Sequence, residues 1–388
     1  MKIPFNKPHF TGREVYHLSQ AAVVGKLSGN GNYTRQCQQF FEQRYGVNKV
    51  LLTTSCSDAL EMSALLCDIK PGDEVIMPSY TFVSTANAFA LRGAKILFAD
   101  SMELNPNIDA EKIEALISPK TKVIVVVHYG GVACDMDRIM EIANRYNLIV
   151  VEDAAQGLEA AYKGKQLGTI GSFGTFSFHE TKNITSGEGG MITVNDPSKV
   201  NQAEIMWEKG TNRAAFARGE VEKYEWVALG SSFLPNELTA AFLYAQLEHI
   251  DDIQQKRLQI WDSYYTKLMN AGLSDHITLP EVPRYAQHNG HLFYITVLSR
   301  EVRDSLLNYL QAKSINAVFH YLSLHNSPYF GSKHDGRHLP NAVRYSSTLL
   351  RLPFYFSLTE EEIDYIVKNI SDFFIEYYSN QPLTQSPD

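Results

Sequence analysis

Residues 148–156 read Leu148-Ile149-Val150-Val151-Glu152-Asp153-Ala154-Ala155-Gln156, an unbroken apolar run closed by two carboxylates. A strand with one wet face alternates apolar and polar residues. A continuous run reads as a strand covered on both faces, as in a mostly parallel sheet. Working outward, Val75–Met77, Lys95–Ala99, Val123–His128, Thr175–Phe178 and Met191–Val194 read the same way. Between them, Ala110–Ile117 and Asp137–Tyr146 carry apolar residues at helical spacing. This β-α-β rhythm, from about residue 34 to 260, predicts an α/β fold with right-handed crossovers.

Residues 1–30 read as irregular, with Gly25, Gly29 and Gly31 in a Ser/Asn stretch. Asn236–Asn270 has no Pro or Gly and is expected to form one long helix or two, bridging two domains. Ile277–Pro283 reads as a Pro-flanked strand and linker. Beyond it, strands at Leu292–Val297 and Ala317–Phe319 and helices at Val302–Lys313 and Glu360–Tyr378 predict a smaller α+β domain. The expected division is a large domain over 1–250 and a small C-terminal domain over 251–388, with a disordered tail (NQPLTQSPD) from 380.

The chain has 388 residues, 44% of them apolar and 20% charged, and a formal charge of −8. The length suits two or three domains and the composition excludes fibrous and wholly disordered classes. The acidic balance argues against a general nucleic-acid binder, which needs clustered Lys and Arg, but leaves room for one small anionic ligand. Cys37, Cys56, Cys67 and Cys134 form no C-x-x-C pair and read as reduced thiols. The opening MKIPFNKPHF has no apolar core of a signal peptide, and no stretch is long and apolar enough to span a membrane. A soluble cytoplasmic protein with no membrane partner is expected.

Several common signatures are missing. There is no Walker A loop, no G-x-G-x-x-G after a strand, no G-x-S-x-G elbow and no H-E-x-x-H. His320 and His325, and His334 and His338, lack Cys or carboxylate companions at ligand spacing, so no metal is expected.

Four segments carry chemistry. Thr53-Thr54-Ser55-Cys56-Ser57-Asp58 precedes an apolar helical run, and reads either as an N-cap or as a phosphate cradle at a helix N-terminus. Ser79-Tyr80-Thr81-Phe82-Val83-Ser84 follows a strand, and its aromatics serve the core or stack on a flat ring. Glu152-Asp153 ends a buried strand, solvated or aimed into a cleft. Lys182 follows an apolar strand in a glycine-rich stretch, Gly174 to Gly190; such a lysine is a surface charge or, held in a site, a nucleophile. A cradle, a stacking aromatic, a carboxylate for a ring cation and a reactive lysine have one economical explanation together: pyridoxal 5′-phosphate (PLP).

The ordered set SCSDAL, PSYTFVSTANA, VHYGGVACDMD, EDAAQ, SFHETKN and EKGTNR resembles the DegT/DnrJ/EryC1/StrS family of sugar aminotransferases, over about residues 3 to 378. The resemblance implies PLP-dependent fold type I, like aspartate aminotransferase: a large α/β domain with a mostly parallel sheet plus a small α+β domain. It assigns Lys182 as the lysine that bonds the cofactor and Asp153 as the acid paired with its ring nitrogen. Gln156 matches the residue bonded to the ring oxygen, and Phe82 the stacking aromatic. Ser177, Ser57 and the backbone of Cys56 and Asp58 match the phosphate ligands. Asp58 departs from the family's usual small residue, and its carboxylate should turn away from a phosphate. Relatives place a cross-subunit contact near 230–234, where Ser232 is the candidate here, so a homodimer with shared active sites is implied. Lys26 and Ser28 match an N-terminal glycine loop near substrate. His320, Tyr321 and His325 match a small-domain segment facing the sugar, and Lys209 and Arg213 are candidates for the diphosphate.

The resemblance is strongest to the branch acting on dTDP-linked 4-keto-6-deoxy sugars. It implies transfer of the amino group of L-glutamate to dTDP-4-keto-6-deoxy-D-glucose, giving dTDP-4-amino-4,6-dideoxy-D-galactose and 2-oxoglutarate for surface polysaccharide synthesis. The gluco epimer and a 3-amino product share every PLP residue named and remain alternatives. Lys182 argues against the related sugar dehydratases, which carry His at that place, and an intact Lys182, Asp153 and Gln156 set argues against a non-enzymatic scaffold.

Overall fold

A computed structural model describes residues 1–379. Its strands, in chain order, are β1 (Lys49–Thr53), β2 (Glu74–Pro78), β3 (Lys95–Ala99), β4 (Thr121–Val127), β5 (Ile149–Asp153), β6 (Ala161–Tyr162), β7 (Lys165–Gln166), β8 (Phe173–Ser177), β9 (Gly190–Val194), β10 (Ile277–Thr278), β11 (Ala286–Gln287), β12 (Tyr294–Val297) and β13 (Leu349–Arg351). Seven of them form one sheet in the order β1-β9-β8-β5-β4-β2-β3. Only β9 runs against its neighbours.

The continuous apolar runs are explained by what covers each face. On β4, Val123 and Val125 enter one core with Leu60 and Phe89, while Ile124 and Val126 enter a second core with Ile139 and Ile142 of the helix Met136–Tyr146. Alternate side chains of a strand point to opposite faces, so a sheet sandwiched between helices needs apolar residues at every position. The α/β class with a mostly parallel central sheet is therefore the observed one.

A third core belongs to the C-terminal part. Ile260, Tyr264 and Leu268 pack there with Leu306, Leu310 and Phe374, around the small sheet β10-β12-β13. Ile3, from the other end of the chain, joins this core and pairs with Ile315. The stretch 236–270 forms two helices, Glu237–Leu247 and Ile250–Asn270. The second begins in the core of the large sheet through Ile250 and Ile253 and ends in the C-terminal core.

Three expectations need correction. Residues 14–24 form a helix, closed by Gly25 at φ 77°, where irregular chain was expected. Glycine supplies that left-handed stop without a Cβ penalty. Ala110–Ile117 is two short 3-10 turns, not an α-helix. Ala317–Phe319 contributes a single bridge, Val318 to Arg351, and no strand. The expected disordered tail, 380–388, lies outside the described residues.

Candidate active site

The sheet register brings three strand ends together. Val127 of β4 pairs with Asp153 of β5, and Asp153 pairs with Thr175 of β8. Each strand ends at a cleft of about 560 Å³. Open α/β sheets bind ligands at this place, beyond the carboxyl ends of the strands.

Strand alternation separates the two carboxylates of β5. Glu152 is fully buried on the far side, accepting the backbone N–H groups of Gly168, Ile170 and Gly171 at 2.7–2.8 Å and meeting His128 Nε2 at 2.9 Å. It is structural. Asp153 faces the cleft, where its Oδ2 accepts from Thr85 Oγ1 at 2.7 Å and its Oδ1 from the Ala155 N–H at 3.2 Å. Burial pushes the Asp153 pKa up, against these two bonds and the charges of Lys182 and His128. A buried carboxylate in that state is completed by a cation.

Lys182 sits in a tight bend after β8, its N–H donating to the His179 carbonyl at 2.9 Å. Its amine lines the same cleft. Burial lowers its pKa to about 8; Cys56 and Asp153 oppose the shift and Arg351 adds to it. An amine in that range is a usable nucleophile and proton carrier near neutral pH.

The other end of the cleft is built by the helix Cys56–Leu66. Ser55 caps it, with Oγ accepting the Asp58 N–H at 3.1 Å. The N–H groups of Cys56 and Ser57, in the first turn, have no helical partner. The Ser57 hydroxyl lies 2.7 Å from that of Ser84. Gly190 passes so close that a Cβ there would meet the Cys56 nitrogen at 2.5 Å. Ser177 is the strand partner of Gly190, which sets its hydroxyl at the same end. Asp58 gives its backbone to the cap, while its carboxylate takes the Thr54 hydroxyl and does not line the cleft. These donors fit a phosphate.

Phe82, 55% exposed, stands at the cleft before the helix Val83–Ala90. Gln156 lines it: Oε1 accepts the Gly130 N–H at 2.6 Å and Nε2 donates to the Tyr321 hydroxyl at 2.9 Å. The His320 ring stacks on Tyr321 at 3.7 Å, and its Nδ1 meets the Tyr129 hydroxyl at 2.7 Å. Burial, Arg351 and Lys182 hold the His320 pKa well below the ordinary value.

The fold thus gathers Cys56, Ser57, Phe82, Asp153, Gln156, Ser177, Lys182, His320 and Tyr321 around one cleft. The other expected residues lie elsewhere in this chain. His325 is corrected: it packs under Ser79, with Nδ1 at 2.6 Å from the Ser79 hydroxyl and its ring 5.0 Å from His334, because a 3-10 turn at Leu324–Asn326 carries it away from Tyr321. Lys26 is exposed and donates to the Asn30 carbonyl, and Ser28 is exposed in the same loop. Lys209 pairs with Glu208 at 3.8 Å, Arg213 opens a short exposed helix, and Ser232 is exposed and bridged to Glu208. None of these five lines the cleft of a single chain.

Sequence reading missed His291, Arg351 and Thr85. Thr85 directly follows the Ser79–Ser84 segment and lies within PSYTFVSTANA, but no role falls to it there. His291 and Arg351 come from the C-terminal part, with no motif around them. Arg351 lines the cleft, its Nε has no hydrogen-bond partner, and among the described residues no carboxylate pairs with it. Its guanidinium carbon lies 4.7 Å over the Phe5 ring.

A free-donor cradle, a buried carboxylate lacking a cation and an amine of lowered pKa share the cleft, and this set fits PLP. When bound there, PLP supplies an aldehyde that takes up amino groups and a ring that draws electrons from the reacting carbon.

Comparison with known proteins points the same way. The DegT/DnrJ/EryC1/StrS aminotransferase family model matches residues 10–371. The chain is 32% identical to the spore coat polysaccharide biosynthesis protein SpsC of Bacillus subtilis, over 95% of this chain and 96% of that one. It is 32% identical to the GDP-perosamine synthase of Caulobacter vibrioides, over 94% and 96%. The crystal structure of an aminotransferase from Psychrobacter cryohalolentis superposes with a TM-score of 0.89 at 28% identity, covering 97% of this chain and all of that one.

Proposed function

The chain belongs to the DegT/DnrJ/EryC1/StrS aminotransferase family, whose members are PLP-dependent and act on nucleotide-linked sugars, and from that premise we propose that it aminates dTDP-4-keto-6-deoxy-D-glucose. L-Glutamate is the proposed donor and dTDP-4-amino-4,6-dideoxy-D-galactose the product, for surface polysaccharides such as enterobacterial common antigen, in the cytoplasm. The observation that carries the reading is the pairing of a cleft-facing lysine of pKa about 8 with a buried, cation-seeking Asp153.

Each residue has a task in this reading. Asp153, held by Thr85, keeps a negative charge ready for a ring cation. Lys182 Nζ accepts and returns a proton, being substantially neutral near pH 8. Ser57, Ser177 and the N–H groups of Cys56 and Ser57 hold the phosphate. Gln156 and Tyr321, bonded to each other, present a fixed polar pair to what lies in the cleft. Arg351 supports a carboxylate-bearing donor, since an unpaired guanidinium prefers a bidentate anion.

A homodimer with shared active sites is part of the proposal. Phe82 at the cleft is 55% exposed, Trp226 79% and Leu229 55%, close in sequence to Lys209, Arg213 and Ser232. Exposed large apolar groups of this kind mark interaction surfaces. Across such an interface Lys26, Ser28 and the 209–232 segment are proposed to serve a neighbouring cleft. No helix among the described residues is long and apolar enough to cross a membrane.

The test is incubation with dTDP-4-keto-6-deoxy-D-glucose and L-glutamate, with the C4 configuration read from proton couplings of the product. An axial 4-amino group is expected. An equatorial one replaces the galacto assignment with gluco, and amination at C3 refutes the regiochemistry.

A further inference from the structure

The loop 289–291 fixes the protonation of a histidine in the cleft. The Asn289 carbonyl accepts from Asn183 Nδ2 at 3.0 Å and from Gln254 Nε2 at 2.8 Å. A carbonyl only accepts, so both amide nitrogens must face it, and both amide oxygens are left as acceptors. The Asn183 oxygen, Oδ1, meets His291 Nδ1 at 2.9 Å. That contact is a hydrogen bond only if Nδ1 carries the proton.

The backbone that carries the histidine is held from both sides. Arg257, 4% exposed, donates to the Gly290 carbonyl at 3.1 Å and to the His291 carbonyl at 2.6 Å. Asn289 Nδ2 donates to the carbonyls of Gln156 and Leu158, each at 2.7 Å. His291 itself is 5% exposed and lines the cleft with Lys182. Its Nε2 has no partner among the described residues.

We propose that His291 is a neutral, Nδ1-protonated imidazole whose Nε2 serves the cleft as a hydrogen-bond acceptor for a protonated amine beside Lys182. The carboxylates of the same cleft are Asp153 and Glu188, and the charged and titratable groups that act most on the histidine are Lys182, Arg257, Arg351 and His320. Burial and these charges hold its pKa well below the ordinary 6.5, whereas that of Lys182 is about 8. A proton shared between them stays on the amine, so His291 positions and does not act as a base. Only the identity of the amine rests on the aminotransferase reading; the tautomer does not.

The test uses the full chain labelled with 15N-histidine, His291 being assigned by its absence in His291→Asn. The expected spectrum shows a protonated Nδ1 and an unprotonated Nε2, unchanged between pH 8.5 and about 5.5. An Nε2–H tautomer, or an imidazolium forming with a midpoint above 6, overturns the proposal. His291→Asn keeps a donor for Asn183 and removes the cleft acceptor. In it the pH midpoint for reaction of Lys182 with PLP should fall by about one unit, the size of one charge-assisted hydrogen bond. An unchanged midpoint assigns His291 a purely structural role. Failure of Lys182 to react with PLP at all defeats the aminotransferase reading and leaves the tautomer standing.

Discussion

Gln156 Nε2 donates to the Tyr321 hydroxyl at 2.9 Å, joining the loop after β5 to a segment 165 residues later in the chain. Both residues line the cleft, and the bond ties the loop after β5 to the C-terminal part. Tyr321→Phe removes it and leaves the amide without that partner. The expected result is a several-fold rise in KM for the keto sugar with a smaller change in kcat, in line with about 1 kcal/mol for one hydrogen bond. Steady-state kinetics at saturating glutamate measure it.

Thr85 sets the state of Asp153. Its hydroxyl is one of two donors that offset the cost of burying the carboxylate. Thr85→Val keeps the shape and removes the donor, so the Asp153 pKa should rise further. Turnover should drop about tenfold or more, the usual worth of a hydrogen bond to a charged group. A rate within twofold of wild type contradicts this role.

The lowered pKa of Lys182 has a stability signature. Below pH 8 the amine is charged in the folded and the unfolded chain, and the folded chain bears the cost of burial. Between about 8 and 10.5 the folded chain releases its proton first, so stability rises with pH across that window. Compared with Lys182→Met, cofactor-free wild type should gain in denaturation midpoint from pH 8 to 10.5 and show a constant difference below 8. A difference that ignores pH contradicts the shift.

Gly190 leaves room for the helix end that offers free N–H groups. A methyl at this position meets the Cys56 nitrogen and the Ser55 carbonyl carbon, each at 2.5 Å, and both are backbone atoms that cannot swing aside. Gly190→Ala should lower stability by about 2 kcal/mol and weaken PLP binding in parallel. Thermal unfolding and cofactor titration report the two effects.

Arg351 is expected to serve one substrate only. Arg351→Met should raise KM for glutamate by about 10- to 100-fold, as loss of a charge-assisted pair does, with KM for the sugar little changed. Equal effects on both substrates point to a structural role.

How much of this was legible follows from where each residue sits in the chain. Asp153 ends the buried strand β5 and Lys182 follows β8 in a glycine-rich stretch, which makes both conspicuous, whereas Gln156 and Ser177 take their roles from the family resemblance. Local pattern alone left Glu152 and Asp153 equivalent; the alternation of β5 separates them. His291 and Arg351 carry no local signal, because they reach the cleft only through the packing of the C-terminal core. The same holds for the helix Glu14–Val24, whose exposed Val15, Val23 and Val24 give it no clear amphipathic stripe. Lys26, Ser28, Lys209, Arg213 and Ser232 were reached through family resemblance, and the roles proposed for them turn on a proposed second subunit.

In the proposed function this cleft moves an amino group from glutamate to a nucleotide-linked keto sugar through Lys182. This transfer is tested most directly with L-[15N]glutamate, PLP and dTDP-4-keto-6-deoxy-D-glucose, following the isotope by NMR. Wild type should place 15N on C4 of the sugar, and Lys182→Ala should place none. A wild-type protein that binds PLP yet leaves the label on glutamate, or a Lys182→Ala variant that transfers it at the wild-type rate, would contradict it.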